Sequence, residues 1–280
     1  MKRIGFTSLL LTGTILAGGY ALAADPTAET LPAVSGINGK IEASGGWVDL
    51  DGLDQDWMFR GGASLSIPVG DMFGIQADLS AVDAFGSTMY GGAAHFFARD
   101  PNSYLLGIVG GIGDNKDATV YFVGPEAELY LDNISIEMWG GYMNTDFDGG
   151  PSNDDAFAQI DLGFYASDNL RFTVGASSYA GFQSARAGIE WQLSEDALPL
   201  SLMADARIGE DGFASISAGI KMYFGGESKS LMRRHREDDP PNRSVDVFTG
   251  IGNAATAESG PQCPPYYIYV QGEGCVYSPP

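Results

Sequence analysis

From about Gly39 to Phe224 the chain repeats one theme: short runs in which apolar and polar residues alternate, separated by turn-forming residues. In the run that closes on Phe224, Ile216, Ala218, Ile220, Met222 and Phe224 share one parity, and Ser215, Ser217, Gly219, Lys221 and Tyr223 the other. Side chains of a β-strand alternate between faces, so each run predicts a strand with one apolar and one polar face. The spans are approximately 39–49, 57–67, 73–82, 88–98, 103–112, 118–131, 134–143, 156–166, 170–179, 184–193, 200–208 and 213–224. About twelve strands of roughly ten residues, an even number, define an all-β chain: a transmembrane antiparallel up-and-down β-barrel.

Asn, Asp, Gly and Pro supply the connections, as at Pro68–Asp71, Asp132-Asn133 and Ser167–Asn169. These read as short periplasmic turns. Asp51–Asp56, Gly113–Asp117, Thr145–Asp155 and Gly209–Gly212 read as longer outer loops. A soluble sandwich would show the same alternation with its apolar face inward. Against that, Ala158, Ala166, Ala185, Ala187, Ala204 and Ala206 on the apolar face would leave voids in a close-packed interior. A closed sheet of about twelve strands also has a bore too wide for its own side chains to fill. Trp47, Trp57, Tyr142 and Tyr179 at one end of the strands, and Tyr104, Trp191 and Phe224 at the other, suit aromatic girdles at the two lipid interfaces.

The start of the chain sends it to the same compartment. Lys2 and Arg3, the mostly apolar stretch 4–17 and Ala21-Leu22-Ala23 form a secretory leader cut after residue 23. Four segments are expected: the leader 1–23, a periplasmic lead-in 24–38, the barrel 39–224 and a short periplasmic tail 225–280. Loss of Lys2 and Arg3 takes the formal charge from −21 to −23, which excludes nucleic-acid binding. The neighbours implied are outer-membrane lipids and lipopolysaccharide. In an oxidising periplasm Cys263 and Cys275, the sequence's two cysteines, are expected to pair and staple a small aromatic loop. The tail reads either as a contact surface for the cell wall or a periplasmic partner, or as a loosely ordered extension with one stapled turn.

Function rests on the polar parity. It carries Arg60, Asp78, Glu126, Glu128, Glu137, Asp161, Arg171, Arg186, Glu190 and Arg207 as candidate pore-lining residues, with Lys40, Glu42, Asp205 and Lys221 beside them. A charge facing lipid costs several kcal/mol, so all of these should face the lumen. Two outcomes are open. Opposed charges can line a water-filled pore, a passive channel for small hydrophilic solutes or ions. Alternatively, salt bridges close the lumen, leaving a structural or interaction barrel. Trp139, in phase with Glu137, is placed to intrude on the bore.

Catalysis and cofactors find no footing. The only histidines are His95, in the lumen phase, and His235, in a basic run of the tail; neither has the setting of a Ser–His pair. There is no Gly-x-Ser-x-Gly elbow and no zinc spacing, and the acidic outer loops lack the EF-hand pattern. No cofactor is expected.

Several stretches carry a family resemblance: Gly74–Asp78, His95–Pro101, Glu126–Leu131, Arg207–Asp211 and Lys229–Pro241. Through them the chain resembles the porin-like outer-membrane β-barrel family of proteobacteria. The resemblance covers the barrel and the start of the tail. It implies fold and location, and no substrate.

Overall fold

The computed structural model describes residues 31–148, 152–195, 199–250, 267–270 and 274–277. Twelve strands follow one another: β1 (Asn38–Asp49), β2 (Asp56–Val69), β3 (Phe73–Ala84), β4 (Ser87–Asp100), β5 (Tyr104–Asp114), β6 (Ala118–Leu131), β7 (Ile134–Phe147), β8 (Asn153–Ser167), β9 (Leu170–Tyr179), β10 (Phe182–Gln192), β11 (Leu200–Gly209) and β12 (Ala214–Gly225). Each pairs antiparallel with its neighbours, and β1 pairs with β12 from Asn38↔Gly225 to Asp49↔Ala214, so the sheet closes and leaves no edge. The protein is an all-β, closed, twelve-stranded antiparallel barrel, as the alternation requires.

The outer wall is apolar. Leu79, Leu106, Ile108, Val174 and Ile216 are each more than half exposed, an arrangement stable only against lipid. Trp47, Trp57, Tyr142, Trp191 and Phe224 also point outward. Tyr179 does not. It is 1% exposed and turned into the bore, because the end of β9 has apolar company inside the barrel as well as outside.

Both barrel ends, Asn38 and Gly225, lie at one rim, termed proximal; the distal rim lies opposite. The connections do not fall into two length classes. At the distal rim β3 joins β4 through Phe85-Gly86 alone, and β9 joins β10 through Ala180-Gly181. All four residues have φ between 49° and 79°, the double left-handed geometry of the tightest hairpins. The widest connection, residues 193–199, is instead at the proximal rim. Strands run further than the alternation suggested and consume the expected loops: β7 and β8 reach Phe147 and Asn153 inside the span 145–155.

Beyond β12 the chain forms α1 (Leu231–Glu237) and a helical stretch at residues 243–250, α2. A small hairpin pairs β13 (Tyr267–Val270) with β14 (Gly274–Tyr277). The leader expected at 1–23, Cys263 and the side chain of Cys275 lie outside the described residues.

Candidate functional site

The bore is occupied by the protein's own chain. Residues 229–250 do not hang below the barrel as the expected tail from residue 225 would; they turn back at the proximal rim and run up through the lumen. Leu231 N and Met232 N donate to Asn169 Oδ1 and Asp168 O in the β8–β9 turn, anchoring α1 at that rim. Pro240 O then accepts from Lys40 Nζ (2.6 Å) and Gln76 Nε2 (3.1 Å). Asn242 Nδ2 donates to Leu79 O, and the Ser244 hydroxyl meets that of Ser80 at 2.7 Å. A twelve-stranded sheet leaves this space, and polar strand residues make it habitable only for polar partners.

The wall charges sort by side, and the segment is their complement. Glu126, Glu128 and Glu137 on β6 and β7 form an acidic side. Arg243, 0% exposed, extends to Glu126 Oε2 (3.6 Å) and Glu128 Oε1 (3.4 Å), with its guanidinium 5.7 Å from the Trp139 ring centre. His95 bridges Glu126 (2.9 Å) and Asp78 (3.0 Å) behind it. Opposite, Asp246 accepts from Arg186 and Arg207 at 2.9 Å each and from Gln159 at 3.2 Å. Arg186 also clasps Asp161 through two 2.6 Å bonds, and Arg207 reaches Asp205, which Arg60 approaches from β2.

Nearer the proximal rim Arg171 pairs with Glu137, and Lys221 with Glu190 (2.9 Å). His235 of α1 sits between the hydroxyls of Tyr165 and Tyr223, at 2.9 Å from each. Burial pushes its pKa well below the ordinary value, and Arg171, Lys221 and Lys40 push the same way against Glu190. A cavity of about 180 Å³ remains beside the segment, bordered by Arg60, Arg171, Glu190, Lys221, His235 and Asn242.

All ten candidate residues therefore point into the barrel interior, where they meet one another, neighbouring wall residues such as Asp205 and Ser217, or the returning segment. Alternation gave no sign of the distal half. There, on the β3–β9 side, the inward residues are Val82, Met89, Val109, Val120, Phe122, Met143 and Phe157, and Val247 and Phe248 of α2 close against them. Trp139 and Tyr179 stack into the same cluster, with Trp139 and Phe157 4.8 Å apart and Phe157 lying parallel to Tyr179 at 5.9 Å. Val120, Met143 and Val247 are 0% exposed. A side chain lining an open pore would be wet, so this apolar layer on the β3–β9 side of the bore is dry. The signal existed in Thr119–Val123, where apolar residues run without alternation because both faces meet apolar surroundings.

Fold, apolar exterior and charge-lined interior together define an outer-membrane β-barrel of porin-like architecture, and the bacterial outer membrane as its location. No protein-family model and no curated protein matches the sequence. Among solved structures, the chain is similar to the KdgM porin in complex with disordered oligogalacturonate: 7% identity over 66% of this chain and 99% of that one, with a TM-score of 0.50. The NanC porin matches at 10% identity over 66% of this chain and 100% of its own, with a TM-score of 0.47. At such identities the likeness concerns the fold.

Proposed function

We propose that the protein is a porin-like passive channel for small hydrophilic solutes or ions, held shut by its own C-terminal segment. The observation that carries this reading is the occupant of the bore. A lumen ringed by Arg60, Asp78, Glu126, Glu128, Glu137, Asp161, Arg171, Arg186, Glu190 and Arg207 has room for a folded stretch of chain, and that stretch is held largely by ion pairs and hydrogen bonds. Contacts of this kind exchange readily for water, so removing the segment would leave a hydrated, charge-lined passage. The KdgM structure, with its bound oligogalacturonate, supports solute passage through a barrel of this architecture. Here Asp246 occupies the position facing Arg186 and Arg207 that an anionic solute would take.

The test compares the full-length barrel in planar bilayers with a chain ending at Ser228. Discrete conductance steps that appear or grow on truncation support a closed channel. A correctly folded truncated barrel that passes no current would favour the second reading, a closed structural or interaction barrel, for which the dry distal layer speaks.

A further inference from the structure

The segment in the bore has a direction, and that direction carries a consequence independent of conduction. Its contacts climb the wall in order. Met232 and Arg236 bond to Asp168 and Ile134, beside turns at the proximal rim. Lys40 and Gln76 hold Pro240 a few residues up their strands. Arg243 and Asp246 are fixed at mid-height by Glu126 and Arg186. Phe248 then lies against Gly113, the penultimate residue of β5, and Gly250 against Tyr179, the last residue of β9 before the distal hairpin. By residue 250 the chain has passed from one rim to the other.

Charged segments do not cross hydrocarbon, but a polar bore gives them a route that avoids it. The lead-in at residues 31–37 and the start of the tail meet at the proximal rim, where Ser35 bonds to Glu237 and Asp238. A chain delivered from the periplasm leaves both barrel ends on that side, with the distal hairpins outside. We infer that the barrel passes its own C-terminal chain outward through its lumen, so that residues beyond 250 are presented at the cell surface rather than in the periplasm. The barrel then acts as a display scaffold whose cargo is the continuation of its own chain.

The experiment treats intact cells carrying the full, untagged chain with chymotrypsin, which has Tyr266, Tyr267, Tyr269 and Tyr277 as targets beyond residue 250. Cleavage at these tyrosines in intact cells, read after reduction because Cys263 and Cys275 are expected to pair around three of them, with the barrel recovered whole, is the expected result. Protection until the outer membrane is permeabilised would overturn the inference. Sidedness is read separately in a Cys263→Ser/Cys275→Ser background, where an impermeant maleimide should reach Lys116→Cys at the distal rim and spare Asn102→Cys at the proximal rim. The reverse labelling would also overturn it. A barrel that never conducts can still pass both tests, so failure here and failure of the channel reading are distinguishable.

Discussion

Arg243→Ala is the sharpest probe of how the bore is held shut. Arg243 is the one cation that α2 sets against Glu126 and Glu128, two carboxylates that are 2% exposed. Deleting one partner of a buried, hydrogen-bonded charge cluster costs about 3–5 kcal/mol, and each 1.4 kcal/mol is tenfold in an equilibrium. Water entering beside the shortened side chain recovers part of this, so the low end applies: the undocked population should rise by about a hundredfold or more. Val247, with no exposed surface, reports it. In the Cys263→Ser/Cys275→Ser background a cysteine placed by Val247→Cys should react with a soluble thiol reagent only when the segment leaves, at a rate that tracks the open population. Arg233→Ala is the control, because Arg233 is half-exposed and its i,i+4 pair with Glu237 is worth about 0.3–0.5 kcal/mol, roughly a twofold effect. If Arg243→Ala, folded as a barrel, labels within about threefold of its parent, the ion pairs do not hold the segment and the closure argument fails.

Further expectations can be read from the same labelling or from conductance. His235 is docked neutral with a depressed pKa and would titrate near its ordinary value of about 6.5 once released, so its contribution to docking is complete above that pH and is lost as pH falls. Labelling should rise up to about tenfold per unit below pH 6.5, and His235→Gln should flatten the profile; Asp239, whose pKa burial raises, opposes this only at lower pH. A Cβ at Gly113 would lie 2.2 Å from the Phe248 ring, so Gly113→Leu should expel that ring and raise labelling roughly ten- to hundredfold without touching an ion pair. In the chain ending at Ser228, Glu126→Gln with Glu128→Gln should move the reversal potential in a salt gradient towards anions, and Arg186→Gln with Arg207→Gln towards cations. A potential unmoved by either pair would take those residues off the conduction path.

The barrel was legible because a two-residue period runs through most of the strands. The strand ladder, the apolar exterior and the inward parity of residues such as Asp78 and Arg207 all follow from it. The closed state was not legible, for two physical reasons. Where β6 has apolar neighbours on both faces, around Val120 and Phe122, alternation disappears and cannot say which side is lumen. The pairing of Arg243 with Glu126 joins residues far apart in sequence, and no local pattern in Asp238–Gly250 marks it as an occupant rather than a tail. A basic and acidic run placed after the last strand, opposite a wall of mixed charge, was the available hint. Loop length misled because Phe85 and Ala180 adopt left-handed backbone that favours Asn or Gly, hiding two of the tightest hairpins.

The occupant of the bore also fixes an order of events during biogenesis. It is translated after β12, and its anchors lie on strands spread around the whole wall, with partners as distant as Asp78, 165 residues earlier than Arg243. The full set of anchors exists only once those strands are assembled, so docking is expected to follow closure of the sheet, after a species whose bore is still empty. That species is tolerable because its unsatisfied charges face water rather than lipid. Insertion into the membrane and filling of the tube thus become separate stages. If the emptied bore conducts, as proposed, a chain stalled between them would present an assembled exterior around an unsealed conduit.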